Sequence, residues 1–158
     1  MAYQKLQVSR ALQVIKSDNA NIPFPAVVTS GTGVAPIPNE LEDSSTGAFI
    51  TRNVQVGDVV YNTTTNLSAT VVQVIGEENL TLNANIFTGA VDGYIIYSQN
   101  TKNEGCVLYI GTGGNVRVLT HGGDDVTFVN LLGGTFVPVQ ILKVFESGTT
   151  CTSILALW

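Results

Sequence analysis

Regularly spaced glycine turns in the last third of the chain limit its fold more than any other feature. Every turn between the apolar segments there contains at least one glycine, which adopts a positive φ without a steric cost. Turns that recur about every ten residues are typical of antiparallel strands joined by hairpins. The pattern predicts a β-meander, with strands at residues 106–110, 116–120, 126–130, 135–145 and 151–158.

The composition agrees with β structure and excludes several other classes. Of the 158 residues, 44% are apolar and 12% are charged, and the net charge is −5. These values argue against helical bundles, coiled coils and intrinsic disorder. The seven basic residues are scattered and form no nucleic-acid footprint. No apolar run reaches the roughly 20 residues of a transmembrane helix. We expect a β-rich protein without nucleic-acid or membrane partners, whose surface is partly covered.

The first hundred residues divide into an arm, a linker and a small β unit. Residues 4–16 fit neither a helical nor a strand period well, and we interpret them as an extended arm. Residues 29–43 are rich in Gly, Pro, Thr and Ser and predict a linker or long surface loop. Four or five short strands between residues 54 and 97 indicate a partly open barrel similar to an SH3-like module. A polar hinge at 98–105 ends this unit.

The strand predicted at 135–145 is apolar on both faces. Val137, Val139 and Ile141 share one face. Pro138 and Leu142 lie on the other. A strand buried on both sides of an antiparallel sheet needs cover from another layer or another subunit. We therefore expect aspartate at Val139 or Ile141 to abolish oligomerisation.

No group of side chains predicts catalysis, a cofactor or a metal ion. His121 is the single histidine, and it lies beside Asp124 and Asp125 on a Gly-Gly turn, which supplies too few placed ligands for a metal. The glycines at 111–114 lack the Lys-Ser/Thr and the helix of a phosphate-binding loop. Because the N-terminus has no secretory signal, we expect Cys106 and Cys151 to be buried free thiols, with a pair between them as the alternative.

The C-terminal block resembles a family of tailed-phage and prophage virion proteins. The matching residues are Val-Leu-Tyr-Ile-Gly-Thr-Gly-Gly-Asn-Val at 107–116, Gly-Gly-Asp-Asp-Val-Thr-Phe at 122–128, Gly-Gly-Thr-Phe-Val-Pro-Val-Gln at 133–140 and Ile-Leu-Ala-Leu-Trp at 154–158. The family includes the spike base protein of gene transfer agent particles and small structural proteins of marine and cyanobacterial phages. Its shorter members join the equivalents of residues 9–11 and 22–25 almost directly to the strand at 107–112.

The resemblance implies a discontinuous domain with an insertion. Residues 1–30 and 105–158 would form one antiparallel β-sandwich or barrel domain of the spike-base type. Residues 31–104 would form an inserted small SH3-like β module. The fold class expected for the whole chain is therefore all-β.

The same resemblance implies a non-enzymatic structural protein on the capsid exterior of a tailed phage. It would serve as a decoration protein, or as the vertex base of a head spike or fibre. Its partners would be the major capsid protein, copies of itself in a trimer or pentamer, and a head fibre or spike protein. The alternatives are a tail or fibre-attachment adaptor and a carbohydrate-binding module. The expected oligomer or capsid interface comprises Leu6, Val8, Leu12, Phe136, Val137, Val139, Ile141 and Trp158.

Overall fold

The computed structural model describes residues 8–99 and 105–158, and these ranges are entirely β and loop. They contain no helix of the length and apolarity needed to cross a membrane. The strands are β1 (Ala11–Gln13), β2 (Val27–Gly33), β3 (Glu40–Glu42), β4 (Val59–Asn62), β5 (Leu67–Val74), β6 (Asn79–Leu82), β7 (Asp92–Tyr97), β8 (Cys106–Thr112), β9 (Gly114–Thr120), β10 (Asp125–Leu131), β11 (Thr135–Val144) and β12 (Thr152–Leu157).

The twelve strands form two six-stranded antiparallel sheets, one of them curled into a half-barrel. The first sheet has the order β1-β12-β8-β11-β9-β10, and the second has the order β2-β7-β4-β5-β6-β3. The predicted all-β class is confirmed. The first sheet takes its strands from residues 11–13 and 106–157, and the second from residues 27–97. The expected boundary after residue 30 falls inside β2.

The predicted meander is wrong in its pairing, although its five strands are present. Within the described residues, β9 and β10 are the only neighbours in sequence that pair in the first sheet. Strand β11 lies between β8 and β9, and pairs with β8 up to Ile141 and with β9 from Ile141 onward. A Cβ on Gly113 would meet the carbonyl oxygen of Leu131 at 2.5 Å. The loop after β8 is thus pressed against the loop after β10, and does not form a two-residue hairpin.

The first sheet encloses an apolar core built from the inward residues of its own strands. Leu108 and Ile110 from β8 and Val116 and Val118 from β9 are fully buried there. The opposite residues of β8, such as Tyr109, point outward and are half-buried. This alternation is the period of two that places every second side chain on one face.

One face of the two-faced strand is covered by its own chain, which is the first of the two sources of cover that the sequence allowed. Val137 and Ile141 are 2% and 0% exposed and belong to the core of the first sheet, and Val139 packs against that core. The cover comes from the curled sheet itself and from Ile22, whose amide donates to the carbonyl of Leu142. Aspartate at Ile141 would therefore disrupt the fold of one chain before it could report on assembly.

The segment predicted as a linker contributes two strands to the second sheet. β2 pairs with β7, and β3 pairs with β6. Small residues made this segment look like a loop, yet its glycines are needed for close packing. A Cβ on Gly31 would meet Oδ2 of Asp43 at 2.6 Å. The second core, around Phe49, Tyr94 and Ile96, lies against this sheet.

The predicted N-terminal arm is in part an edge strand of the first sheet. β1 pairs with β12, with Leu12 opposite Ala156. The amides of Val14 and Ser17 continue the attachment by donating to Ile154 and Val144. Leu12 then packs against both the core of the first sheet and a third cluster that contains Tyr61 and Tyr97 of the second sheet. The arm thus joins the two sheets.

Ile141→Ala should lower the free energy of unfolding by about 3 kcal/mol, because it leaves a cavity in a core that cannot collapse fully. The matched control is Val129→Ala, since Val129 is 62% exposed and its loss should cost less than about 0.5 kcal/mol. Urea unfolding followed by circular dichroism measures both changes. Equal effects of the two substitutions would contradict this assignment of the core.

Candidate functional site

The charged side chains around His121 take part in hydrogen bonds that hold a turn. Asp125 pairs with Arg117 through two hydrogen bonds of 2.6 and 2.9 Å, and this pairing lowers the pKa of Asp125 and raises that of Arg117. Asp124 accepts a hydrogen bond from the hydroxyl of Thr120. The predicted turn at His121 is therefore held by its neighbours. Among the described residues, no three His, Cys, Asp or Glu side chains are grouped to hold a metal ion.

Both cysteines are buried free thiols, as the sequence predicted. Burial raises the pKa of the Cys106 thiol to about 12, and its Sγ donates to the carbonyl of Ile141. Burial also raises the pKa of Cys151. A thiol whose pKa is raised is a poor nucleophile near neutral pH, because the thiolate is the reactive form.

Asp43 is the most strongly perturbed carboxylate of the second sheet. Burial by itself raises its pKa, but five hydrogen bonds from Tyr94, Thr46 and Ser45 outweigh burial and hold the pKa well below its usual range. The hydroxyl of Tyr94 donates at 2.7 Å, and burial together with Asp43 raises the pKa of Tyr94. All these hydroxyls donate to the carboxylate, so the cluster anchors a loop and leaves no activated nucleophile.

The outward face of the first sheet is the candidate functional surface. Register places Phe136 of β11, Tyr109 of β8 and Leu155 of β12 in one row across three neighbouring strands. Leu157 and Val107 form the next row. We call these five residues the outer face. Phe136 is 54% exposed, and its ring lies 5.2 Å from that of Tyr109.

Two further exposed apolar side chains lie on and after the edge strand β10. Val129 on β10 is 62% exposed, and Leu132, in the loop after β10, is 77% exposed. β10 itself is an edge strand that pairs with β9 alone. It contains no proline or lysine, which are residues that commonly protect an edge from further pairing. Such an edge, next to exposed apolar side chains, is suited to contact with another protein.

The residues expected at the interface are divided between the surface and the interior. Phe136 and Val8 are exposed, whereas Val137 and Ile141 are buried within the chain. Val139, Leu12 and Trp158 are half-buried. The Trp158 ring makes an edge contact with Phe24 at 5.6 Å between ring centroids. Leu6 lies outside the described residues.

The sequence analysis missed most of the outer face. Tyr109, Val107, Leu155 and Leu157 belong to strands that it predicted, but alternation alone does not say which face is covered. The signal was present in the alternation of β8 and β12, where both sets of residues are apolar.

In comparisons with known proteins, no protein-family model, no curated protein and no solved structure matches the chain.

Asp43 should make the protein sensitive to acid. Its pKa is lower in the folded protein than in the unfolded chain, so its contribution to stability is complete above the unfolded value of about 4 and is lost as the pH falls below it. Asp43→Asn should be less stable than the wild type at pH 7, with a smaller difference at pH 3. Urea midpoints at pH 7, 5 and 3 measure this change, with Glu78→Gln, an exposed carboxylate, as the control. A constant difference across these pH values would contradict the assignment.

Proposed function

We propose that the chain is a non-enzymatic structural protein of a tailed-phage virion, bound to the capsid exterior. It acts there as a decoration protein or as the vertex base of a head spike or fibre. It assembles with copies of itself and docks on the major capsid protein.

The outer face carries this proposal. Its five residues are apolar, with Phe136 exposed and the other four half-buried, and large exposed apolar patches mark interaction sites. In the outer face, Phe136 and Tyr109 provide the large aromatic side chains that are enriched at the centre of interfaces. The low content of charged residues, 12%, agrees with a surface that neighbours cover.

The symmetry of a capsid suits a protein that makes weak contacts with its neighbours. Many identical copies on a symmetric surface require only weak contacts each, because the contacts act together. An exposed β edge such as β10 offers backbone donors and acceptors to a neighbouring copy.

The division into two sheets supports the proposed insertion. The segments that resemble the phage family, about 6–25 and 104–158, supply the first sheet through β1 and β8–β12. The second sheet is built from residues between them. In the proposed arrangement the first sheet is the base on the capsid, and the second sheet projects from it or contacts a neighbour.

Phe136→Asp should abolish self-association and reduce binding to phage heads at least tenfold, because it places a charge in an apolar contact. The matched control is Val91→Asp, which introduces the same charge at a residue in the loop before β7 that is 69% exposed. Sedimentation of each purified variant, alone and with heads that lack the protein, measures both properties. Thermal unfolding shows whether each variant is folded.

Two outcomes would contradict the proposal. One is a wild-type protein that remains monomeric and does not bind the heads. The other is a folded Phe136→Asp variant that assembles and binds like the control. Cross-linking in purified particles then gives the location: a cross-link to a tail protein instead of the major capsid protein would favour the tail adaptor. About 60 copies per particle would indicate vertices, and several hundred would indicate a shell-wide coat.

A further inference from the structure

A cleft of about 670 Å³ lies between the two sheets. Its size falls within the range of sites for small molecules, about 300–1,000 Å³. Leu12 of β1 and Ile154 of β12 line it from the first sheet, and Tyr61 of β4 and Ile95 of β7 line it from the second. Lys16 and Glu146 are its charged lining residues. The cleft is separate from the outer face.

The lining contains aliphatic side chains and one cation, Lys16, whose two polar contacts are both long. The Lys16 ammonium group contacts the carbonyl of Thr149 at 3.5 Å and the carboxylate of Glu146 at 3.7 Å. Both distances are long for a charged hydrogen bond, which is usually below 3 Å. The Lys16 side chain is 24% exposed, whereas that of Glu146 is 58% exposed. Lys16 is therefore more buried than Glu146, and the ion pair between them is weak.

A second observation inside the cleft points to a polar ligand group. Tyr61 is 4% exposed, and its hydroxyl oxygen faces the backbone of Ile15, but the hydroxyl donates to no acceptor among the described residues. A buried hydroxyl without a partner costs about 1–3 kcal/mol. Burial raises the pKa of Tyr61, so the hydroxyl keeps its proton. It is a donor in a lining that combines aliphatic side chains with the polar residues Gln13, Thr63, Asn66, Thr152 and Ser153.

We propose that this cleft binds a small aliphatic monocarboxylate, with its carboxylate at Lys16 and its hydrocarbon chain against Leu12, Ile95 and Ile154. The single cation matches a single negative charge. Glu146 lies beside that cation and opposes a second negative charge, so phosphate esters and dicarboxylates should bind more weakly than a monocarboxylate. The aliphatic side chains of Leu12, Ile95 and Ile154 favour a hydrocarbon body over a hydroxylated one, because a sugar hydroxyl placed against them would lose its hydration.

Hexanoate is the probe, and 1-hexanol is the neutral probe of the same chain length. Titration of the isolated full-length protein, followed through the methyl resonances of Ile95 and Ile154, should show saturable binding of hexanoate. Binding of hexanol should be at least tenfold weaker, because it lacks the charge that meets Lys16. The experiment needs no capsid, so its result is independent of the proposed virion role.

Three substitutions test the placement of the carboxylate. Lys16→Met keeps the apolar stem and should weaken hexanoate binding about tenfold. Glu146→Gln should strengthen binding several-fold, since it removes the competing carboxylate. Lys143→Met is the matched control, because the Lys143 ammonium lies over the Phe145 ring outside the cleft lining, and it should leave binding unchanged.

Four results would overturn the proposal: no saturable hexanoate binding, equal binding of hexanol, shifts confined to methyl groups outside the cleft, or the same loss with Lys143→Met as with Lys16→Met. If Lys16→Met does not fold, Glu146→Gln decides alone, and an affinity that is unchanged or lower than that of the wild type overturns the proposal.

Discussion

The pairing of β11 with two strands is the constraint on which the first sheet depends. Its first half hydrogen-bonds to β8 and its second half to β9, and the register shifts on both sides of Ile141. A bulge of this kind bends a strand and increases its local twist. Each half of β11 thus secures a different neighbour, so the strand ties β8 to β9. It also turns Ile141 into the enclosed side of the sheet, where it is fully buried.

The second sheet is fixed by buried polar side chains as much as by its core. Asp58 accepts amide hydrogen bonds from Gln55 and Gln99, which lie before and after the strands that it connects. Asn62 binds the amides of Thr64 and Thr65 in the turn after β4. Such bonds replace the water that these loops would otherwise require. This explains how a segment with few charges and many threonines keeps defined loops.

The sequence allowed the strands to be located but not their partners. The regular spacing of glycine turns is a local property, and it identified β8 to β12. The order β8-β11-β9 depends on contacts between residues that are distant in sequence, and on a bulge that no local pattern predicts. For the same reason β2 and β3 looked like a linker: their glycines allow close packing that is visible only when Asp43 and Leu41 are in place. Asp43 itself has a readable signal, since Asp-Ser-Ser-Thr at 43–46 is the sequence of a side-chain-capped turn.

The candidate surface was only partly accessible to the same reasoning. Two apolar faces on β11 were recognised, yet the sequence did not say which face the chain covers for itself. The curled sheet covers the face of Val137 and Ile141, and Phe136 remains on the other. This distinction changes the meaning of a substitution: a charge at Ile141 acts on folding, and a charge at Phe136 tests the proposed contact with a neighbour. An assembly role must therefore be argued from the residues that stay outside after the monomer has formed its own core. In this chain those residues are the outer face and the free edge of β10.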